Sequence, residues 1–303
     1  MWDVLGLGNS CLDHLFTLPR YPQPGESVAV LRRESLPGGQ VATAMLGCAR
    51  LGLRAGMVLR TGDDDAGERQ WAALRAAGVD LSLARTVPGV PSALAYIILD
   101  ATTGERGVIW NTDDRLAVRP GEVSRNDVAR TRAVFLDGKD EEAGLQVAAW
   151  AQAAGIPVVS DVDCERASTR ALLAHITHFI SNEEFVRELA GTEDLHEALR
   201  RLAALGPAVV CATCGAAGAV AFDGREFLDS PAFTLIPVDT TGAGDAFHAG
   251  YLAALLAGTD LAHRLRVANA TAAEACLRRG AQASMPSRAA VEARLGGSLE
   301  GMA

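Results

Sequence analysis

The sequence predicts an α/β fold in which helices cover both faces of a mainly parallel central sheet, with a small β lid beside it. Short apolar runs alternate with alanine-rich helical segments along most of the chain, and this order is typical of a parallel sheet between two helical layers. Two extended segments interrupt the alternation and are expected to form the lid. Since 49% of the residues are hydrophobic, the chain can bury the core that a three-layer α/β/α fold requires.

The central strands and helices are predicted in a regular order. Strands are expected at residues 4–8, 56–60, 133–137, 157–161, 179–181 and 208–213, and helices at 41–51, 67–77, 141–154, 194–205 and from about 245 to 258. Gly52, Gly78 and Gly155 each stand where a helix should end, a position that glycine favours. A polar turn is expected at 61–65, and Pro237 is expected to end the strand before the last helix. Ligands of such folds bind beyond the carboxyl ends of the strands.

The two extended segments cover residues 13–34 and 92–111. They lack helical periodicity and contain turn signals such as Thr102-Thr103-Gly104. We expect them to pair as a lid sheet over the mouth of the pocket, and ordinary surface hairpins are the alternative. No internal repeat or Pro/Ser-rich linker divides the chain, so residues 1–303 are expected to form a single domain with this lid.

The composition and charge of the chain indicate which partners and which cellular location to expect. A formal net charge of −9 argues against nucleic acid, because affinity for nucleic acid depends on neutralising phosphates. The N-terminal residues lack the pattern of a signal peptide, and no apolar run is long enough to predict a membrane span. We therefore expect a cytoplasmic protein. The six cysteines are expected to be packed thiols, and a metal or redox role for the C-x-x-C of Cys211 and Cys214 is the alternative.

The most specific pattern lies at residues 238–250, which read VDTTGAGDAFHAG. Gly242, Ala243 and Gly244 have small side chains or none, so backbone N–H groups can converge where the following helix begins. Unpaired N–H groups and the helix dipole favour an anion there, such as a phosphoryl group in transfer. Asp245 beside this anion site is predicted to accept the proton of an attacking hydroxyl. Helix N-capping is its alternative role.

Other phosphate-binding and catalytic motifs are absent from the sequence. Gly138-Lys139 is followed by Asp140 and does not complete a P-loop. Gly6-x-Gly8 lacks the third glycine of a dinucleotide-binding turn, since Cys11 stands at that position. The chain contains no G-x-S-x-G or H-E-x-x-H motif, and its histidines lack metal-ligand spacing.

Through the motif at residues 238–250 and three N-terminal segments, the chain resembles the ribokinase-like PfkB carbohydrate kinases. Residues 238–250 are similar to the C-terminal signature of that family, and residues 38–44, GGQVATA, are similar to its first signature. Residues 5–8 followed by Asp13 resemble the first strand with its sugar-binding aspartate, and residues 61–64 resemble a G-x-D segment. The resemblance extends from about residue 3 to residue 286 and implies an ATP-dependent sugar kinase.

The resemblance also implies roles for individual positions. Gly242, Ala243, Gly244 and Asp245 would form the anion hole and the base. The positions that would contact the sugar are Asp13, Gly39, Gln40 and Thr43. Thr213 and Gly215 would contact ATP, and Asn269 and Ala272 would line the adenine pocket. A monovalent cation such as K⁺ would be held by Asp239, Thr241, Ala275, Arg278, Gly280 and Ser284, mostly through backbone oxygens.

The sequence departs from the family pattern at two points. Thr43 stands where the first signature usually has asparagine, a variant similar to that of sulfofructose-type kinases, which argues against ribose. In the N-x-x-E motif that helps to hold Mg²⁺ through water, Asn182 is present but Phe185 occupies the glutamate position. Glu183 or Glu184 is expected to replace that glutamate, unless phosphates and water hold the metal. A solvated first turn of a helix is the alternative for these two acids.

Charged residues after two other predicted strands are further candidates for binding the substrate or supporting the metal. Lys139, the only lysine in the chain, could pair with an anionic group on the substrate, and a solvated loop is the alternative. Asp161 and Asp163 end a strand on the ATP side and could support the metal.

The sequence therefore predicts transfer of the ATP γ-phosphate to the hydroxyl of a sugar, with ATP, Mg²⁺ and K⁺ as cofactors. Nucleoside and sulfosugar kinases of the same fold are alternatives, and Phe16, Tyr96 and Trp110 are candidates for a nucleoside pocket. A catalytically inactive sugar- or nucleotide-binding regulator is the alternative from another class. A homodimer through the lid is expected by analogy alone.

Overall fold

The computed structural model describes residues 1–103 and 106–301. Gly104 and Glu105 of the second extended segment lie outside the described residues. The last residue of the predicted Thr102-Thr103-Gly104 turn is therefore not described. The strands are β1 Trp2–Leu7, β2 Cys11–Leu18, β3 Arg32–Gly38, β4 Ala55–Val58, β5 Arg60–Gly62, β6 Arg85–Val87, β7 Leu94–Asp100, β8 Arg106–Asn111, β9 Thr131–Leu136, β10 Val158–Ser160, β11 His178–Asn182, β12 Val209–Thr213, β13 Ala219–Phe222 and β14 Phe227–Ser230. The α-helices are α1 Gln40–Arg50, α2 Asp65–Ala76, α3 Arg125–Ala129, α4 Glu141–Ala153, α5 Thr169–Leu173, α6 Glu183–Ala190, α7 Leu195–Ala203, α8 Ala243–Leu256, α9 Leu261–Ala275, α10 Ala281–Ser284 and α11 Arg288–Leu295.

An eight-stranded sheet forms the centre of the fold, in the order β14-β13-β12-β11-β10-β9-β1-β4. The strands from β12 to β4 in this order are parallel, and the β13–β14 hairpin adds two antiparallel strands at one edge. Every residue of β1 and β10 is buried, as expected for parallel strands that have helices over both faces. The predicted α/β fold with a mainly parallel central sheet is confirmed.

Helices pack against both faces of this sheet. On one face α1 and α8 bury Met45 and Tyr251 in a core that α9 and α11 complete. On the other face α6 and α7 bury Val186 and Leu199. Helix α8 packs against both α1 and α9, so its position, and with it the position of its first turn, is fixed by apolar contacts along its whole length.

A second sheet of four strands, here called the lid sheet, has the order β3-β2-β7-β8. The two segments predicted to pair contribute these strands, and β2 pairs with both β3 and β7. The strands differ from the predicted bounds, because β2 begins at Cys11 and β3 continues to Gly38, directly before α1. Cys11 is paired with Gly38, so the end of β3 lies beside the start of β2 and close to Asp13.

Several predicted elements differ from the structure. Thr61 and Gly62, expected in a turn, form the end of β5, which pairs with β6. Pro237 does not end a strand, because β14 ends at Ser230. The last predicted helix begins at Ala243 rather than near residue 245. The β13–β14 hairpin was not predicted, although Asp223-Gly224 between its strands is a hairpin turn signal.

Within the described ranges, none of the helices combines the length and the apolar character needed to cross a bilayer.

Gly39 joins the lid sheet to α1, and replacing it should destabilise the fold by two effects. Its φ of 92° is strained for other residues, and an added Cβ would lie 2.6 Å from the Cα of Ser10. Gly52 has a similar φ of 95° but nothing within 4 Å of an added Cβ. We expect Gly52→Ala to lower the free energy of unfolding by about 1–3 kcal/mol and Gly39→Ala to lower it further. Equal losses in urea titrations of the two variants would show that the close approach to Ser10 is not a constraint.

Candidate active site

Aspartates gather where the strands of the central sheet end. Asp137 follows β9, Asp161 and Asp163 follow β10, Asp13 lies on β2, and Asp245 lies in the first turn of α8. Asp13, Asp137 and Asp161 are buried. The carboxyl ends of parallel strands meet at one edge of a sheet, which explains how residues so far apart in the chain come together.

Burial raises the pKa values of Asp13, Asp137, Asp161 and Asp245, and repulsion from neighbouring acids adds to the rise at Asp161 and Asp245. Loss of hydration raises the pKa of Asp13 to about 6 and that of Asp161 to about 6. The pKa of Asp245 is raised well above its usual range, first by burial and then by the charges of Asp161 and Asp13. Part of the Asp245 side chain still reaches solvent, but the surrounding protein and the neighbouring acids make its ionised form unfavourable. A carboxyl group in this setting holds a proton strongly, as a general base requires.

The turn before α8 has the geometry expected for an anion site. Gly242 has a φ of 82°, and an added Cβ would lie 2.8 Å from the Cα of Ala281, so only glycine fits there without strain. The helix begins at Ala243 with Gly242 as its N-cap. The N–H groups of Gly244 and Asp245 lie in the first turn, where no carbonyl one turn earlier can accept from them, whereas the N–H of Ala243 donates to the oxygen of Thr240 at 3.2 Å. Gly244 itself is exposed, so an anion can reach this turn.

Helix capping, the alternative role of Asp245, does not apply in this structure. Gly242 occupies the N-cap position, and no side chain caps the helix. Asp245 is instead the acidic residue of the first turn, where its carboxyl group faces the other aspartates.

Asp239 ties this turn to the segment that precedes α10. Its two carboxylate oxygens accept hydrogen bonds of 2.9 Å from the N–H groups of Thr241 and Gly280. Of the other residues predicted to hold a monovalent cation, Ala275, Gly280 and Ser284 are buried and Arg278 is exposed. The Ser284 hydroxyl donates to the oxygen of Ala281 at 3.0 Å. The structure therefore brings the two predicted segments together, with the Asp239 side chain as the link between them.

The residues predicted to contact the acceptor lie between the lid sheet and α1. Asp13 accepts a hydrogen bond from the Cys11 thiol at 3.1 Å, and an added Cβ on Gly38 would lie 2.0 Å from its Oδ2. The Gln40 amide donates to Asp163 at 2.9 Å, which joins the start of α1 to the loop after β10. The hydroxyl of Thr43 is fully buried and has no hydrogen-bond partner of good geometry among the described residues, although Thr43 lies close enough to lower the pKa of Asp245.

Lys139 lies beside this acceptor region. Its ammonium group donates to Asn9 Oδ1 at 3.0 Å and to Thr112 Oγ1 at 3.4 Å, and it forms no ion pair within 4 Å in the described part of the chain. Burial raises the pKa values of Asp137 and Asp140, and the positive charge of Lys139 partly opposes this rise. The resulting pKa of Asp140 is about 7. The charges of Lys139, Asp13 and Asp245 all act on the Cys11 thiol, so these three side chains surround the same part of β2.

The residues predicted for the nucleotide side are placed around the ends of β11 and β12. Thr213 is the last residue of β12, and Gly215 begins the turn after it. Asn269 is buried, and its amide nitrogen donates to the backbone oxygen of Ser230 at 2.9 Å, so it holds the end of β14 against α9. Ala272 is partly buried three residues further along α9.

The predicted magnesium motif has a different structure from the family pattern. The Asn182 side chain caps α6 by accepting from the N–H of Phe185 at 2.8 Å, and the Phe185 ring is buried in the core. Glu183 pairs with Arg187 at 2.7 Å, whereas Glu184 is exposed. Among the described residues no group of three or more acidic, cysteine or histidine side chains could hold a metal ion. The site therefore fits Mg²⁺ only as a metal bound mainly by phosphates and water.

Three further residues complete the site, and sequence reasoning missed two of them, Asn9 and Thr112. Asn9 and Thr112 hold the Lys139 side chain, and both follow strands, a position that could have indicated them. His248 is buried one turn after Asp245, its Nδ1–H donates to the Gly244 oxygen at 2.8 Å, and the same nitrogen lies 3.7 Å from Asp161 Oδ2. The spacing of four residues from Gly244 on one helix was the available signal.

Comparison with known proteins gives one consistent family. The profile described as "pfkB family carbohydrate kinase" matches residues 7–288. The ribokinase of Bacillus subtilis is 29% identical over 96% of this chain and 99% of its own length. An ATP-dependent ribose-1-phosphate kinase of Halopiger xanaduensis is 30% identical over 97% of this chain and 98% of its own. The solved structure of Arabidopsis thaliana ribokinase complexed with ribose and ATP is 27% identical and superimposes with a TM-score of 0.84, covering 97% of this chain and 99% of that one.

The raised pKa of Asp161 predicts a dependence of stability on pH. Its pKa of about 6 in the folded protein exceeds the unfolded value, so its stabilising contribution is fully present below about pH 4 and is lost as the pH rises through 6. We expect Asp161→Asn to raise the free energy of unfolding by up to about 3 kcal/mol at pH 8 and by about half as much at pH 5. Urea titrations at both pH values measure this.

The exposed aspartate Asp229 provides the matched control, because Asp229→Asn makes the same chemical change outside the pocket. If Asp161→Asn destabilises the protein at pH 8 as much as at pH 5, burial of a charged Asp161 carboxylate is not a cost to the fold.

Proposed function

Because the chain belongs to the pfkB family of carbohydrate kinases, we propose that it transfers the γ-phosphate of ATP directly to a sugar hydroxyl, with Asp245 as the catalytic base. One observation carries the assignment. Asp245 is a carboxyl group of raised pKa that stands in the first turn of α8, next to N–H groups that have no partner in the helix. A base and an anion site are thereby joined on one rigid element.

We assign residues of this site to each of the two reactants, the γ-phosphate and the acceptor sugar. The γ-phosphate lies over the turn of Gly242, Ala243 and Gly244, where the N–H groups of Gly244 and Asp245 and the helix dipole stabilise the charge that develops on its oxygens. Asp245 accepts the proton as the acceptor hydroxyl attacks phosphorus and the bond to ADP breaks. Asp13 accepts hydrogen bonds from other hydroxyls of the sugar, which orients it for in-line attack.

Thr43 and Gly39 complete the acceptor end. The buried hydroxyl of Thr43, which has no partner of good hydrogen-bond geometry among the described residues, is available to bind a sugar hydroxyl next to Asp245. Gln40, held by Asp163, closes the side of the pocket that faces the loop after β10. The lid sheet covers the acceptor and excludes water, which suppresses transfer of phosphate to water.

Two cations are part of the proposal. Mg²⁺ bound to the phosphates neutralises charge during transfer, and Glu184 with Asn182 is the assigned contact on the protein side, through water. K⁺ is assigned to the backbone oxygens around Asp239, Thr241, Ala275, Arg278 and Gly280, with the Ser284 hydroxyl. The hydrogen bonds that join Thr241 and Gly280 through Asp239 already hold these segments close to each other.

A second candidate, a kinase for an anionic sugar, is favoured by Lys139. The Lys139 ammonium has no acidic partner within 4 Å in the described ranges and is held by the neutral oxygens of Asn9 and Thr112. It therefore retains donor capacity for a sulfonate, carboxylate or phosphate. One relative is named a ribokinase and another a ribose-1-phosphate kinase, so neutral and charged acceptors both occur among similar proteins. A nucleoside acceptor would instead use Phe16, Tyr96 and Trp110, of which Trp110 is 70% exposed.

The remaining assignments follow from the lid sheet and from the composition. Val108 and Ile109 on β8 expose apolar side chains, which supports a homodimer through the lid sheet. We place the enzyme in the cytoplasm, where ATP is available.

An assay of ADP release distinguishes the kinase from the alternative, an inactive binding protein. The assay contains ATP, Mg²⁺ and K⁺ and tests a panel of sugars, sulfosugars and nucleosides as acceptors. Turnover raised by one acceptor class supports the kinase, whereas nucleotide binding without turnover by any of them supports the regulator.

Replacing Asp245 with asparagine removes the proton acceptor but keeps the size of the side chain. We expect Asp245→Asn to lower kcat by about 10²–10⁴-fold and to change the Kd of a non-hydrolysable ATP analogue only a few-fold. Steady-state ADP release and calorimetric titration measure the two quantities. Asp229→Asn serves as the control for removal of one negative charge, and a variant at 245 that keeps more than a tenth of the turnover would rule out this base.

The role of Lys139 is tested with matched acceptors, such as a pentose and its 1-phosphate or a ketohexose and its sulfonate. Lys139→Met should raise KM for the charged member of each pair by about 10-fold or more, because a charge-assisted hydrogen bond is lost, and should leave KM for the neutral member nearly unchanged. Lys139→Arg, which keeps the charge, should recover part of the loss. Equal effects on both members would show that Lys139 does not bind an anionic group.

A further inference from the structure

Gln282 connects two distant parts of the candidate site. It lies in α10, and its side chain is buried. Its Nε2 donates a hydrogen bond of 3.1 Å to the backbone oxygen of Gly38, which is the last residue of β3 in the lid sheet. The bond therefore joins the hinge between the lid sheet and α1 to the segment that follows α9.

The same short helix contacts the phosphate-binding turn. Ala281, the residue before Gln282, lies directly against Gly242, where an added Cβ would approach its Cα to 2.8 Å. Gly280 donates to Asp239, which also fixes Thr241. Gln282 thus stands between the acceptor end of the site, at Gly38, and the phosphate end, at Gly242.

The side-chain amide of Gln282 is only half satisfied. Its Oε1 is buried and has no hydrogen-bond partner in the ranges that the structure describes. The reversed amide would place Oε1 against the Gly38 oxygen, so that two acceptors would face each other. A buried acceptor without a donor destabilises a fold, and an apolar side chain of similar size would avoid this cost. The presence of an amide here therefore points to a role other than stabilising the fold.

We propose that Gln282 is a positioning residue that couples binding of the acceptor under the lid sheet to the arrangement of the phosphate-binding turn. The proposal rests on the proposed kinase function. Movement of β3 as the lid sheet closes displaces the Gly38 oxygen, and the hydrogen bond to Gln282 carries this displacement to α10. Because Ala281 is packed against Gly242, the turn before α8 responds. Binding of one substrate thereby changes the affinity for the other, and by linkage the effect is reciprocal.

Such coupling would also limit wasteful hydrolysis of ATP. A phosphate-binding turn that takes its reactive arrangement only when the acceptor is bound gives water little opportunity to replace the acceptor hydroxyl. This predicts that loss of the Gln282 bond uncouples the two sites and raises ATP hydrolysis relative to transfer.

The test measures coupling rather than activity alone. The Kd of a non-hydrolysable ATP analogue is determined with and without ribose, ribose 1-phosphate or whichever panel sugar gives the highest turnover. For the wild type we expect the acceptor to tighten binding of the analogue by at least 5-fold. Gln282→Met should reduce this factor to less than about 2 and increase the ratio of ATP hydrolysis to transfer, while Kd for the analogue alone changes little.

Two further variants distinguish coupling from a structural role. Gln282→Glu keeps the size of the side chain but removes the N–H donor, and it should lose the coupling as Gln282→Met does. Thr131→Val removes a buried hydrogen bond, from Thr131 Oγ1 to the oxygen of Ala133 at 2.9 Å, far along the chain from both ends of the site, and it should keep the coupling factor of the wild type.

The possible outcomes separate this proposal from the proposed function. A coupling factor in both Gln282 variants equal to that of the wild type would overturn the positioning role, even if their stability is lower. A wild type that transfers phosphate but shows no coupling would overturn it as well. A wild type without acceptor-dependent turnover would contradict the kinase function itself.

Discussion

The structure depends on the burial of aspartate side chains around the first turn of α8. Asp137 and Asp161 end strands of a sheet that helices cover on both faces, so their carboxyl groups lose water as the sheet packs. Each charge makes ionisation of its neighbours less favourable, and at Asp245 the charges of Asp161, Asp13 and Asp163 add to burial in raising the pKa. This arrangement costs stability at neutral pH, and it yields a carboxyl group with a high affinity for a proton next to a helix terminus that attracts an anion.

Helix packing holds the site residues in defined positions, although several of them lie in loops. Helix α8 is held between α1 and α9 by apolar contacts, and the turn before it is fixed by the positive φ of Gly242 and by the hydrogen bonds of Asp239. The acceptor end belongs to a different element, the lid sheet, whose last strand reaches α1 through Gly38 and Gly39. A phosphate end at the start of α8 and an acceptor end on the lid sheet suit a reaction that depends on positioning.

The sequence was sufficient to predict the fold class and most of the parallel strands, because buried parallel strands are short apolar runs and the helices between them end at glycines such as Gly52 and Gly155. It also indicated the turn before α8, since Gly242 to Asp245 combine small residues with an acid at a helix start. Residues that act through tertiary contacts left no local pattern. Gln282 contacts Gly38 from 244 positions away, Asn269 turns its amide towards Ser230, and the N-cap role passes from Asp245 to Gly242 because the backbone there has a positive φ.

The central claim, that a carboxyl group of raised pKa accepts the proton of the acceptor, is tested most directly by the pH dependence of kcat/KM. This quantity reports the ionisation of the free enzyme. We expect kcat/KM to fall towards low pH with an apparent pKa well above the ordinary aspartate value of about 4, because the base must be deprotonated to act. A kcat/KM that stays constant from pH 8 down to pH 5 would contradict it.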